Sequence, residues 1–231
     1  LLLNSWLGRD LGVSGRVALR DGSLPLVRVD RPVLHLPQLA IHLDRDIVTT
    51  GLKVDPQAHT SPIWGVGGPD ADGFRRFLAC ELGCDAGDVV AWDVMTHDLA
   101  PAAVVGRDGE LLASARLDDL CCSWAALSAL LETGRGVVVL FDHEEVGSDT
   151  HRGAGSPFLG DVLARLLPDP DARAAAISGG VCASADMAHA THPNYAERHE
   201  PNHWIALGGG PVIKSNVNQR YATDARTAAV F

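Results

Sequence analysis

The sequence predicts an α/β fold, a mostly parallel sheet flanked by helices, with a β-rich lobe inserted into it. Three observations predict this. Residues 106–231 alternate helix-period segments with short apolar runs, as in layered α/β domains. Residues 21–105 have a different texture, rich in Pro, Gly and β-branched residues, which reads as a separate lobe. The length, 231 residues, suits one large domain or two small ones with a sizeable buried core. The expected division is residues 1–20 as the first part of the α/β domain, 21–105 as the inserted lobe, and 106–231 as the remainder.

Each element has its own signal. Residues 1–20 alternate apolar and polar positions and end in Gly15-Arg16-Val17-Ala18-Leu19. Val27 to Val33 alternates with period two, the mark of a half-buried strand. Asp72 to Leu82 places Phe74, Phe77, Leu78 and Leu82 at helical spacing. Leu117 to Leu131 is an Ala- and Leu-rich periodic helix. Val137 to Phe141 is a continuous apolar run, as expected of a buried parallel strand. Pro157 to Leu167 reads as a helix, Ile177 to Ala183 as a second strand, and Val212-Ile213-Lys214 as the edge of another. No internal repeat or low-complexity segment interrupts them.

Composition bounds the function. Apolar residues make up 46% and charged residues 21%, ordinary for a soluble globular protein. The formal net charge of −10 argues against nucleic acid or an anionic membrane as partner. No apolar run approaches the roughly 18 residues that span a bilayer, and Leu1-Leu2-Leu3 is too short for a signal peptide. Five cysteines, Cys80, Cys84, Cys121, Cys122 and Cys182, form no regular framework, which predicts reduced thiols in a cytoplasmic protein. Cys80 and Cys84 could be half of a zinc knuckle, but no second pair follows at ligand spacing. Leu1 enters directly into a patterned segment and Phe231 ends one without a polar tail, so both ends read as cut from a longer chain.

Three acidic clusters carry the chemistry. In Asp142-His143-Glu144-Glu145-Val146-Gly147-Ser148 an apolar run leads straight into two carboxylates and a glycine turn. Functional groups gather beyond the carboxyl ends of strands in open α/β sheets. One carboxylate of such a pair can hold a metal while the other stays free as a base; a solvated acidic loop is the plain alternative. The run from Ile177 leads into Asp186, then His189 and His192, residue types that ligate zinc or manganese. A lone Asp after a strand is usually a helix N-cap, but Pro193 and Asn194 weaken any helix after Asp186. The pair Asp118-Asp119 opens the helix at Leu120, and N-capping is the preferred reading for Asp119. Together the clusters favour a carboxylate-rich metal site.

At these residues the chain resembles the aspartyl aminopeptidases, a family of dinuclear zinc metallopeptidases. The resemblance rests on the Asp142–Ser148 segment and on Ser184-Ala185-Asp186-Met187-Ala188-His189-Ala190-Thr191-His192-Pro193-Asn194-Tyr195. It extends to Ala115-Arg116-Leu117-Asp118, Gly210-Pro211-Val212-Ile213-Lys214 and Asn218-Gln219-Arg220-Tyr221-Ala222-Thr223. Upstream, Ser5-Trp6, Arg9-Asp10, Val29-Asp30-Arg31-Pro32 and Leu39-Ala40-Ile41-His42-Leu43 fit as well. These motifs are long, ordered and spread over nearly the whole chain.

The resemblance implies a zinc exopeptidase-like α/β catalytic domain and two zinc ions per subunit. Asp118 would bridge them, Glu145 would bind one and Asp186 the other. Glu144 would be the general base. His42, His189 and Lys214 would contact substrate, a peptide with a free N-terminal Asp or Glu. The lobe would be a dimerisation domain whose His42 reaches a neighbouring subunit's site, with dimers assembling to a dodecamer. Asp119 and His143 stand where the family usually has Asn. The family's first zinc-binding His falls before Leu1 and its last after Phe231, so residues 1–231 alone are expected to bind zinc weakly or not at all and to hydrolyse nothing. His59, His97, His151, His199 and His203 match no ligand position and read as surface or structural. The alternatives are a related zinc aminopeptidase of neutral or broad preference, or an inactive assembly module acting through the lobe.

Overall fold

The computed structural model describes residues 4–218 and 220–231; Leu1–Leu3 and Gln219 of the motif above lie outside the described residues. The chain forms two compact units that divide after Ala115.

The first unit is built on a three-stranded antiparallel sheet in the order β2-β1-β3, with β1 (Asp10–Leu19), β2 (Leu26–His35) and β3 (Val89–Asp98). β1 is central because it alternates cleanly: Leu11, Val13 and Val17 turn to one buried face. Gly15 interrupts that row where β3 comes closest. A Cβ there would lie 2.1 Å from the Asp93 carbonyl oxygen, so only glycine fits. β2 lies at the edge and carries Pro32, which has no N–H for a ladder. Its register jumps from Val13↔Val29 to Leu11↔Leu34, so the segment around Pro32 bulges out of the pairing. His35 then forms an isolated bridge with Ile63.

A short helix α1 (Ile47–Thr50) precedes α2 (Gly73–Leu82), which packs Leu78 and Ala79 onto Val13, Val17, Val27, Val29 and Val89. α2 stops at Gly83, left-handed at φ 69°, with the Cys84 N–H donating back to the Ala79 carbonyl. Around its first turns Trp64 meets Phe74 and Phe77 edge-on, Trp92 meets Phe74 edge-on, and Phe74 and Phe77 stack on each other. His97 ties the three strands, with Nδ1 3.1 Å from Ser14 Oγ and Nε2 3.0 Å from Asp30 Oδ1. A hairpin of β4 (Ala103–Val105) and β5 (Leu111–Ala113) closes the unit.

The second unit is helical. It comprises α3 (Leu117–Thr133), α4 (Phe158–Leu166), α5 (Pro170–Gly179) and the single turn α6 (Ala225–Ala228). α3 ends on the left-handed Gly134. α5 starts where Asp169 Oδ1 accepts the Ala172 N–H at 2.7 Å with Pro170 in the first turn. α6 starts with a reciprocal cap between Asp224 and Thr227.

The result is α/β, but the described strands all pair antiparallel. This corrects the expectation of a mostly parallel sheet. Val137–Phe141 and Val212–Lys214 form no ladder among the described residues. A strand exists through its neighbours, and among the described residues neither run has one. Ile177 lies inside α5 instead: the cap at Asp169 and the Ala174-Ala175-Ala176 run carry the helix through it to Gly179. Residues 10–19 pair within the first unit, and the boundary between units falls at 115/116. No described helix is long and apolar enough to cross a membrane.

Candidate metal centre

The second unit positions most of the expected site residues. Asp118 and Asp119 sit at the head of α3 but outside its helical geometry, with φ/ψ of −84°/110° and −113°/25° and a cis peptide between them. Helical bonding resumes at Leu120, whose N–H donates to the Arg116 carbonyl. The Asp119 carboxylate accepts from Ser123 Oγ at 3.5 Å and from the Cys122 thiol, so it meets side chains of the first turn. Desolvation first, then this carboxylate, pushes the Cys122 thiol up to about 11.

Asp118, Asp119 and Asp186 each offer a carboxylate oxygen, and the three atoms lie within 4.8 Å of one another. Burial holds the Asp118 carboxyl above the usual carboxylate range, and the negative charges of Asp186, Glu145 and Asp119 add to it. Asp186 is shifted the other way, below its usual range, chiefly because Lys214 donates to it. Lys214 Nζ stands 2.7 Å from Asp186 Oδ2 and 3.5 Å from the Met187 carbonyl. That pairing raises the Lys214 ammonium in turn.

Glu144 and Glu145 lie on a 3₁₀ turn, Glu144–Val146, directly after His143. His143 has φ 64°, a left-handed conformation that Asn, Asp and His tolerate better than other side chains. The His143 N–H donates to Asp142 Oδ1 at 3.0 Å, and its Nδ1 lies 2.9 Å from Thr150 Oγ1. Beyond it Gly153 is buried, with room for no side chain: a Cβ would lie 2.1 Å from the Ser148 carbonyl oxygen. This packing fixes the loop that presents the Glu pair.

The remaining residues divide by place. His189 is exposed, three residues beyond Asp186 on the same irregular segment. His42 belongs to the first unit, exposed on the short turn Ile41–Leu43. Cys80 and Cys84 are free thiols; among the described residues the metal-competent group is Asp118, Asp119 and Asp186. In the sequence Asp119 has the look of a helix cap, which conceals its approach to Asp186. The adjacency of two aspartates after Arg116-Leu117 was the available signal.

These residues fit a divalent cation. Two oxygens bound to one ion at about 2.0–2.2 Å stand no more than roughly 4.4 Å apart. The observed separation therefore needs only small side-chain rotations. The cluster also gathers more negative charge than Lys214 alone offsets.

The family model for aminopeptidase I zinc metalloprotease (M18) matches residues 1–231. The "Probable M18 family aminopeptidase 2" of Streptomyces avermitilis is 51% identical over 243 residues, covering 100% of this chain and 56% of its own length. Among solved structures, the Ape4 and Nbr1 complex, determined by cryo-EM, matches with a TM-score of 0.82 at 29% identity, covering 99% of this chain and 50% of that one. Chaetomium thermophilum mApe1 matches with a TM-score of 0.73 at 30% identity, covering 98% and 57%. The chain thus spans about half the length of the proteins it matches.

Proposed function

Because the chain belongs to the M18 family of aminopeptidase I zinc metalloproteases, we propose that it carries the catalytic carboxylates of a zinc aminopeptidase that removes an N-terminal Asp or Glu from peptides. The observation that carries this reading is the convergence of Asp118 and Asp186 beside Glu145, with Lys214 as the adjoining cation.

In this reading Asp118, Glu145 and Asp186 would hold the zinc, Asp118 serving two ions, Glu145 one of them and Asp186 the other. Bound zinc would supply Lewis-acid polarisation of the scissile carbonyl and acidify the attacking water. Glu144, free of that duty on its exposed turn, takes the proton of the water and passes it to the leaving amine. His189 orients substrate from the segment beyond Asp186. Lys214 receives the acidic side chain, a role it can take up once Asp186 is neutralised by a cation. The lobe joins subunits into dimers and a dodecamer, and exposed His42 serves a neighbouring subunit's site. Assembly and acidic specificity rest on the family resemblance.

One observation favours a neutral or broad preference instead. Lys214 is already paired with Asp186, and a cation so engaged has less attraction left for a substrate carboxylate.

Glu144→Gln in the native polypeptide tests the central assignment. Turnover should fall by about 10² or more with zinc content, read by atomic absorption, near wild type. Loss of zinc together with activity would show that the pair has been assigned the wrong way round.

A further inference from the structure

We propose that His199 is a positioning residue: its imidazole anchors the far end of the segment that carries Asp186 and His189. The inference rests on the functional reading above for its consequence, but its geometry is independent.

From Asp186 to Tyr195 the chain has no helix or strand to hold it, and only the single 3₁₀ turn Ala196–Arg198 follows before His199. At its near end Asp186 is tied to Lys214 at 2.7 Å. At its far end Thr191 and Ile205 close a loop, the Thr191 N–H donating to the Ile205 carbonyl at 2.9 Å and the Ile205 N–H to Thr191 Oγ1 at 3.0 Å. His199, half-buried, reaches back from within that loop, and its Nε2 accepts the His192 N–H at 3.0 Å. His192 Nδ1 accepts the Asn194 N–H at 3.1 Å, and its ring lies 5.0 Å from that of Tyr195.

An amide N–H can only donate, so both ring nitrogens serve as acceptors, and each imidazole is held in one tautomer. His199 therefore satisfies a main-chain donor that no ladder satisfies. His189 stands on the short stretch between the two anchors, Asp186 and Thr191-His192. Fixing both ends of a stretch limits the backbone conformations of what lies between. The anchor thus sets where His189 points without His199 touching substrate.

The test compares His199→Leu with His199→Gln, whose Oε1 can accept the same N–H. In the Leu variant the His192 amide should exchange with solvent about fivefold to tenfold faster, the scale of one hydrogen bond. KM for aminoacyl substrates should rise by a similar factor with kcat within about twofold and zinc retained, because a binding contact is displaced and the base is not. The Gln variant should restore both. Unchanged His192 exchange in the Leu variant overturns the anchor. Equal damage in both variants, or a fall in kcat matching the rise in KM, overturns the positioning role. Should the wild-type protein hydrolyse no peptide, the proposed activity fails, while the exchange arm still upholds or sinks the anchor.

Discussion

At the scale of single residues, Asp118 is where competing demands meet. Burial and three neighbouring carboxylates hold its pKa above the usual range, so in the cation-free protein it keeps its proton to higher pH than a free aspartate does. A cation bound there must displace that proton. Proton release per cation, from calorimetry in buffers of different ionisation enthalpy, should be larger near about pH 5 than near about pH 7. Asp118→Ala should deplete both zinc ions of the native enzyme, because a bridging carboxylate serves both. Asp119→Ala should leave zinc largely in place and loosen the head of α3, where its partners are Cys122 and Ser123. Retention of two tightly held ions in Asp118→Ala would remove the bridging role; loss of zinc in Asp119→Ala would make the closeness of its carboxylate to Asp186 functional.

Lys214 poses the specificity question at the same scale. Its side chain is 30% exposed and that of Asp186 56%. At this exposure a pair between Lys214 and a substrate carboxylate would be worth more than the roughly 0.5 kcal/mol of a fully solvated one and less than the roughly 2–5 kcal/mol of a buried one. Lys214→Met should accordingly lower kcat/KM for an N-terminal Asp substrate by about tenfold relative to an N-terminal Leu substrate. An equal fall for both would make Lys214 a counter-ion of Asp186 and nothing more.

At the scale of elements, local signals were legible and distant ones were not. The spacing of Phe74, Phe77 and Leu78 marks α2, and the Leu117–Leu131 periodicity marks α3, because a helix bonds within itself. The run at Val137–Phe141 has strand composition, yet a strand is completed by partners far away in sequence, and composition cannot name them. In the candidate site, Glu144, Glu145 and Asp186 were legible as carboxylates at the ends of apolar runs. The approach of Asp119 to Asp186 was not, since it depends on the non-helical turn at the head of α3. Two substitutions probe how each unit holds its elements. Gly15→Ala drives a Cβ into the β3 backbone and should cost the first unit about 1–3 kcal/mol. Asp169→Ala removes the α5 cap and should cost the second unit about 1 kcal/mol. Urea unfolding followed by residue-resolved amide exchange separates the two losses; reversal of the assignments would mean that the units are not built as described.

At the scale of the whole molecule, the two units differ in what they bury. Every buried apolar residue among those described belongs to the first unit, while the second leaves Trp124, Leu131, Val137 and Leu140 largely in solvent. The slowest amides should therefore lie in β1 and β3. A divalent cation at about ten times its dissociation constant should slow exchange around Asp118, Glu145 and Asp186 by about tenfold and leave β1 unchanged. Uniform slowing across both units would contradict a cation held by the second unit's own carboxylates.

The interrupted pairing of β2 bears on how copies of the lobe can join. A sheet grows by offering a continuous row of free N–H and C=O groups to another chain's strand. On the β2 side that row is broken by the bulge at Pro32 and already partly taken by Ile63. On the other side β3 is in continuous register from Ala91 to Asp98, with one irregularity at Val90, and among the described residues it pairs only with β1. Growth of this sheet is thus one-directional. Two lobes meeting through main-chain bonds would do so β3 to β3, about a twofold axis, and β3 in each would become an interior strand. A third lobe would then find only the two blunted β2 margins, so this route of association stops at a pair.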